Sequence, residues 1–170
     1  ASVTWESIDR IKEYAGLPFM LKGIATAEDA VLAMERGVDA VWVSNHGGRQ
    51  LDHGQGTIDM LPEIVDVVDG RAEVVVDGGV QRGSDVVKAV ALGAKAVAIG
   101  KLQAWGLAAN GTDGAVRVLE ILEHEIRVAM GLMGVTSIDQ LTPSFVCKAE
   151  PTTQPHEMSA WVNMPGGRIL

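Results

Sequence analysis

The chain is poor in cysteine, in long apolar runs and in clustered basic residues, and each shortage removes a class of protein. A single cysteine, Cys147, stands among 170 residues. It excludes an internal disulfide and leaves no thiolate spacing suited to a metal. No apolar stretch is long enough to span a bilayer, and no secretory leader is legible. These features lead us to expect a cytoplasmic location. No basic run or aromatic-basic interleaving occurs, and formal net charge is -8. The bulk field therefore repels nucleic acid and anionic membrane, so an anionic ligand must be held by local cations.

What is present is a 47% hydrophobic, 21% charged composition, enough for one domain with a core. Four similar units follow one another. Short runs rich in Val, Ala and Ile read as strands at 18–23, 39–44, 72–79 and 94–100. Helices are expected between them: from Thr26, with Asp29 as a capping partner, to Gly37; over 57–68; and from Gly83 to Leu92. A final helix is expected over 112–131, and a short one after Ser137, which pairs with Gln140. The leading segment VTWESIDRIKEYAG reads as a helix, so the chain opens within a βα repeat. Strands of this kind, alternating with helices, suit a parallel sheet covered by helices in an α/β fold. Residues 1–142 form the expected domain, and 143–170, with Pro151, Pro155, Pro165 and Gly166-Gly167, an extended tail. Trp161 and Met158 would lay that tail on a surface, such as that of another subunit.

Polar or glycine-rich residues follow every strand: Lys22, then Ser44 to Arg49, then Asp77-Gly78-Gly79, then Gly100-Lys101. The opposite strand ends show no such cluster in the sequence. Parallel α/β folds bind ligands at the carboxyl ends of their strands. Glycines there also make tight turns, and a lone lysine is often only solvated. As a set, however, these residues point to a site. Asp77-Gly78-Gly79 and Gly100-Lys101 have the form of an anion cradle, with backbone N–H groups and helix N-termini turned to a phosphate.

The most informative stretch is VSNHGGRQ, residues 43–50. His46 can accept a proton near neutrality, and Arg49 can grip a carboxylate with its fork. The glycines between them allow both side chains to converge on one small molecule. A loop histidine bonded only to backbone is the alternative. His53, His124 and His156 lack such surroundings and are read as structural.

With these residues assembled, the sequence resembles the C-terminal half of the FMN-dependent α-hydroxy-acid oxidase and dehydrogenase family. That family includes glycolate oxidase, lactate oxidase, lactate monooxygenase and mandelate dehydrogenase. The stretches that carry the likeness are LPFMLKGIATAEDA, GVDAVWVSNHGGRQLD, VVVDGGVQRGSDVVKAVALGAKAVAIGK and GLAANGTDGAVRVLEILEHEI, within residues 3–146. The resemblance implies half of a (β/α)8 TIM barrel, its fifth to eighth strands with their helices, holding FMN at the carboxyl ends. It implies oxidation of an L-2-hydroxy acid to a 2-oxo acid, with His46 as base and Arg49 on the substrate carboxylate. Lys22 would stabilise negative charge on the flavin and Ser44 would contact it. Asp77, Gly78, Gly79, Val80, Gln81, Gly100 and Lys101 would line its ribityl-phosphate end.

Two positions depart from the family pattern. Gln81 stands where arginine is usual, and Lys101-Leu102 where arginine-proline is usual, so weaker or rearranged phosphate binding is expected. A whole barrel needs about 250 residues. A complementary N-terminal half-barrel chain, or a nicked or split precursor of which this is one piece, cleaved near Ala1, is therefore expected, within a higher oligomer. Two rival readings stand beside this one. The chain could be a non-catalytic structural half barrel, or a phosphate-binding barrel of another class such as an isomerase, which would give His46 and Arg49 no role.

Overall fold

The structure is a computed structural model and describes residues 3–51 and 53–149. The expectation of an extended tail past 149, and that for His156, lie outside the described residues. The elements are α1 (Trp5–Ala15), β1 (Met20–Ile24), α2 (Ala27–Glu35), β2 (Ala40–Val43), α3 (Thr57–Val68), β3 (Glu73–Asp77), α4 (Gly83–Ala91), β4 (Ala96–Ala98) and α5 (Lys101–Met133). Their starts and stops follow from local chemistry. Thr26 is extended, and its hydroxyl accepts the Asp29 N–H at 3.2 Å, opening α2. Asp69 and Gly70 take left-handed backbone at φ 47° and 69°, which ends α3.

The four strands form one parallel sheet in the order β1-β2-β3-β4. Three lie inside the expected runs, and β1 extends to Ile24. Side chains alternate between two unlike faces. Val41, Val43, Val74 and Val76 are buried and meet Ala30, Ala33, Leu61, Ile64 and Val68 from the helices. Burying a side chain such as Leu61 or Ile64 contributes about 1.5–3 kcal/mol. The opposite face carries the aligned row Lys22, Trp42, Val75 and Ala96, none of it fully buried. Helices cover one face of this sheet, while the other is uncovered among the described residues. Gly23, at φ 96°, makes a bulge after Lys22 and shifts the register so that Ile24 pairs with Val43.

A second cluster joins α4 to α5 through Val87, Ala91, Val135 and Leu141, with Ile126, Met130 and Val146 against them. Gly83 permits the close approach: a Cβ there would stand 2.5 Å from the Ile126 nitrogen. Glu125 completes the joint. Its Oε2 accepts the Gly83 N–H at 2.7 Å, and its Oε1 meets Arg82 Nη2 at 2.7 Å. The Gly83 hydrogen bond first, and then Arg82, hold this carboxyl below its ordinary pKa.

Three expectations need correction. Helix was expected only from 112, yet α5 begins at Lys101 and is broken at Asn110 and Gly111. Its two segments touch where a Cβ on Gly114 would lie 1.9 Å from the Gly106 carbonyl oxygen. The packed body also passes the expected boundary at 142: Pro143–Phe145 forms a short 3-10 turn, and Val146 packs on the second core. Finally, the amino ends of the strands do carry a charged cluster. Lys12 Nζ donates to the Arg36 carbonyl at 2.6 Å, Arg36 Nε lies 3.6 Å from Asp9, and Asp39 accepts the Phe19 N–H at 2.6 Å. The first two contacts seat α1 against the α2–β2 connection, and the third ties the residue before β1 to the one before β2.

Candidate active site at the carboxyl ends of the strands

Lys22 sits at the last regular position of β1, on the uncovered face. Its ammonium donates to Ser44 Oγ at 2.8 Å, lies 3.3 Å from Asp77 Oδ2, and stands 5.2 Å from the Trp42 ring centroid. Three strands thus converge on one cation. Ser44 is buried at 3% exposure, whereas the Lys22 side chain is 42% exposed. The ion pair therefore stays in contact with whatever occupies the sheet's open side.

Ser44 links this group to the histidine turn. Its Oγ also accepts the His46 N–H at 3.1 Å. His46, Gly47 and Gly48 then take left-handed backbone in succession, at φ 56°, 65° and 70°. Glycine accepts that conformation freely, but His46 has a Cβ and carries strain. The turn closes through Gly48 N–H to the Asn45 carbonyl at 3.1 Å and Arg49 N–H to the His46 carbonyl at 3.4 Å. His46 and Arg49 are both exposed, on one short turn.

The anion cradle lies beside it. Gly78 and Gly79 are left-handed, at φ 98° and 73°. The backbone N–H groups of Gln81 and Arg82 do not face outward as a cradle would require. They donate to Asp85 Oδ2 at 3.1 and 3.0 Å and cap α4. Arg82 turns to Glu125. Gly100 precedes α5 with no capping side chain and no acidic residue in the first turn, so the positive end of that helix is uncompensated. Lys101 adds a cation there and donates to the Gly47 carbonyl at 3.1 Å. Val80 is half-buried.

Sequence reasoning missed Asn45, Thr57 and Trp42. Asn45 Nδ2 donates to the Gln55 carbonyl at 3.0 Å and holds together the ends of the loop that carries His46. Buried Thr57 donates its hydroxyl to the Asp77 carbonyl and pins α3 to the end of β3. Trp42 Nε1, Asn45 Oδ1 and Asp77 Oδ1 are buried without hydrogen-bond partners. Native folds rarely leave such atoms unmatched, and these three gather at one end of the sheet. Space is open beside Gly79 and Gly100. Two unsatisfied acceptors, one unsatisfied donor at Trp42 Nε1, two cations and open backbone suit a ligand with both donors and acceptors at one end and an anion at the other. A phosphorylated flavin has that form.

Comparison with known proteins supports this reading. The family model for FMN-dependent dehydrogenases matches residues 1–148. The chain is 50% identical over 146 residues to a peroxisomal (S)-2-hydroxyacid oxidase of Arabidopsis thaliana, covering 86% of this chain and 40% of that protein. It is 46% identical over 145 residues to an L-lactate oxidase of a Nostoc species, covering 85% of this chain and 40% of that protein. A solved structure of a mandelate oxidase mutant with a monooxide FMN adduct superposes with a TM-score of 0.78 at 50% identity, over 82% of this chain and 44% of that one. The chain belongs to the FMN-dependent dehydrogenase family, whose cofactor is FMN. It spans about 40% of the length of the curated relatives it matches.

Proposed function

We propose that this chain supplies the fifth to eighth βα units of a (β/α)8 barrel that binds FMN and oxidises an L-2-hydroxy acid to the 2-oxo acid. The observation that carries the reading is the convergence of Lys22, Ser44 and Asp77 beneath the His46 turn, on the uncovered face of a parallel sheet. That face would become the barrel interior once the remaining units close the sheet. Among the described residues β1 and β4 each pair on one side only. Those units, from a complementary N-terminal half, would satisfy both edges. An oligomer of such barrels is part of the proposal.

FMN, when bound, supplies the two-electron acceptor. Lys22 provides the fixed positive charge for the flavin ring, and Ser44 holds Lys22 in place. Asp77 orients the lysine through their ion pair. Gly78, Gly79, Val80, Gly100, Lys101 and the side chain of Gln81 would receive the ribityl-phosphate end. Arg49 binds the substrate carboxylate through two parallel hydrogen bonds. His46 takes the substrate's proton onto its imidazole, a role worth about 100- to 10,000-fold in rate.

The test is reconstitution of the complete barrel with FMN, followed by His46→Ala and Arg49→Ala. The proposal expects flavin uptake in all three proteins and turnover only in the first. A second reading, a non-catalytic half barrel, is favoured by one specific observation: neutral Gln81, whose backbone is already committed to Asp85. Unchanged activity of the complex in both variants would support it.

A further inference from the structure

Lys101 is the first residue of α5, where a cation faces the partial positive charge of the helix N-terminus. A lysine is disfavoured there unless something negative meets it. What meets it is the Gly47 carbonyl, 3.1 Å from Nζ and 54 residues away in sequence. Gly47 lies at the centre of the left-handed turn His46–Gly48, and a Cβ built on it would stand 3.7 Å from both Cε and Nζ of Lys101. The lysine stem therefore lies against the turn as well as bonding to it. An ammonium has three N–H donors, so one bond to Gly47 leaves two for an anion.

We propose that Lys101 is a positioning residue for His46. It ties the histidine turn to the start of α5, so that the cation serving the cofactor's phosphate also fixes the catalytic imidazole. The turn needs such a tether, because a non-glycine residue at φ 56° holds its shape only when the surroundings enforce it. Two anchors do so: Ser44 Oγ beneath the His46 N–H, and Lys101 above the Gly47 carbonyl. Phosphate binding and turn order are thereby coupled. An anion that orders the Lys101 side chain lowers the entropy cost of its bond to Gly47, and the effect is reciprocal. The catalytic half of this inference rests on the function proposed above; the tether itself does not.

The test compares wild type, Lys101→Met and Lys101→Arg in the complete barrel. Methionine keeps the length of the stem and removes donor and charge, and arginine keeps both. Amide hydrogen exchange is read at Gly48 and Arg49, whose N–H groups close the turn, first without FMN and then with it. In the cofactor-free protein, Lys101→Met should exchange at these amides about fivefold faster, the effect of losing one hydrogen bond, and Lys101→Arg should restore protection. Wild-type protection should rise on adding FMN, and less so on adding riboflavin, which lacks the phosphate. At saturating FMN, Lys101→Met should lower kcat while KM for the hydroxy acid changes little. Unchanged exchange in cofactor-free Lys101→Met would overturn the proposal, as would a defect that disappears fully once FMN saturates. If wild type takes up no flavin, the function proposed above fails, and the cofactor-free exchange still decides the tether.

Discussion

Glu125 offers a perturbation whose size follows from its contacts. One carboxylate oxygen accepts the Gly83 N–H at 2.7 Å, the other meets Arg82 at 2.7 Å, and the side chain is 22% exposed. A hydrogen bond to a charged group contributes about 1.5–3 kcal/mol, and the mostly exposed Arg82 adds about 0–1 kcal/mol. Glu125→Gln keeps one acceptor but turns an amide toward Arg82 or Gly83, so a loss of about 2 kcal/mol is expected. With a urea m-value of about 1–3 kcal/mol/M, the midpoint should fall by about 1 M. The pH dependence gives an independent check. The folded pKa lies below the ordinary value of 4.5, so the charge-dependent stability is complete above 4.5 and is lost as pH falls through the lower folded value. The gap between wild type and Glu125→Gln should be constant near neutrality and close in acid. Urea titrations followed by far-UV circular dichroism across that range supply the measurement. A neutral-pH gap near zero, or one that persists in strong acid, would refute the argument.

Three further outcomes are expected. Lys22→Met removes the charge shared by Ser44 and Asp77; kcat should fall about 100- to 1000-fold, read as the stopped-flow rate of flavin reduction. Arg49→Lys keeps the charge but loses the fork, so KM for the hydroxy acid should rise more than tenfold while flavin affinity, read by fluorescence quenching, stays put. Gly114→Ala forces a methyl to within 1.9 Å of the Gly106 carbonyl, so the two segments of α5 must separate. Thermal unfolding should show a loss of about 1–3 kcal/mol.

Much of the scaffold was legible because parallel strands buried by helices announce themselves. AVWV and VVV runs between capped amphipathic segments left little choice of element. The His46 turn was legible for a different reason: glycines flank a chemically active pair, and nothing structural requires that composition. The start of α5 was not. Gly106, Asn110 and Gly111 look like breakers in sequence, yet Gly106 is there to let one helical segment cross another, and only the last two interrupt the helix. The charged cluster at the amino ends was hidden by distance along the chain, since Lys12 and Arg36 are 24 residues apart. Thr57 and Asn45 were overlooked because each has an ordinary local role to offer, a cap or a turn. Their side chains instead reach another strand or the far end of a loop. The Gln81 backbone carries the same lesson: Asp85, four residues on, takes the N–H that a phosphate cradle would have used.

The central claim is that this sheet end is half of a flavin site for 2-hydroxy-acid oxidation. Anaerobic titration of the FMN-reconstituted complete barrel with an L-2-hydroxy acid tests it most directly. The account predicts loss of the oxidised flavin's visible absorption, with one 2-oxo acid formed per flavin bleached and no bleaching by the D-enantiomer. A complete barrel that stays colourless after exposure to FMN, or holds flavin that no 2-hydroxy acid reduces, would contradict it.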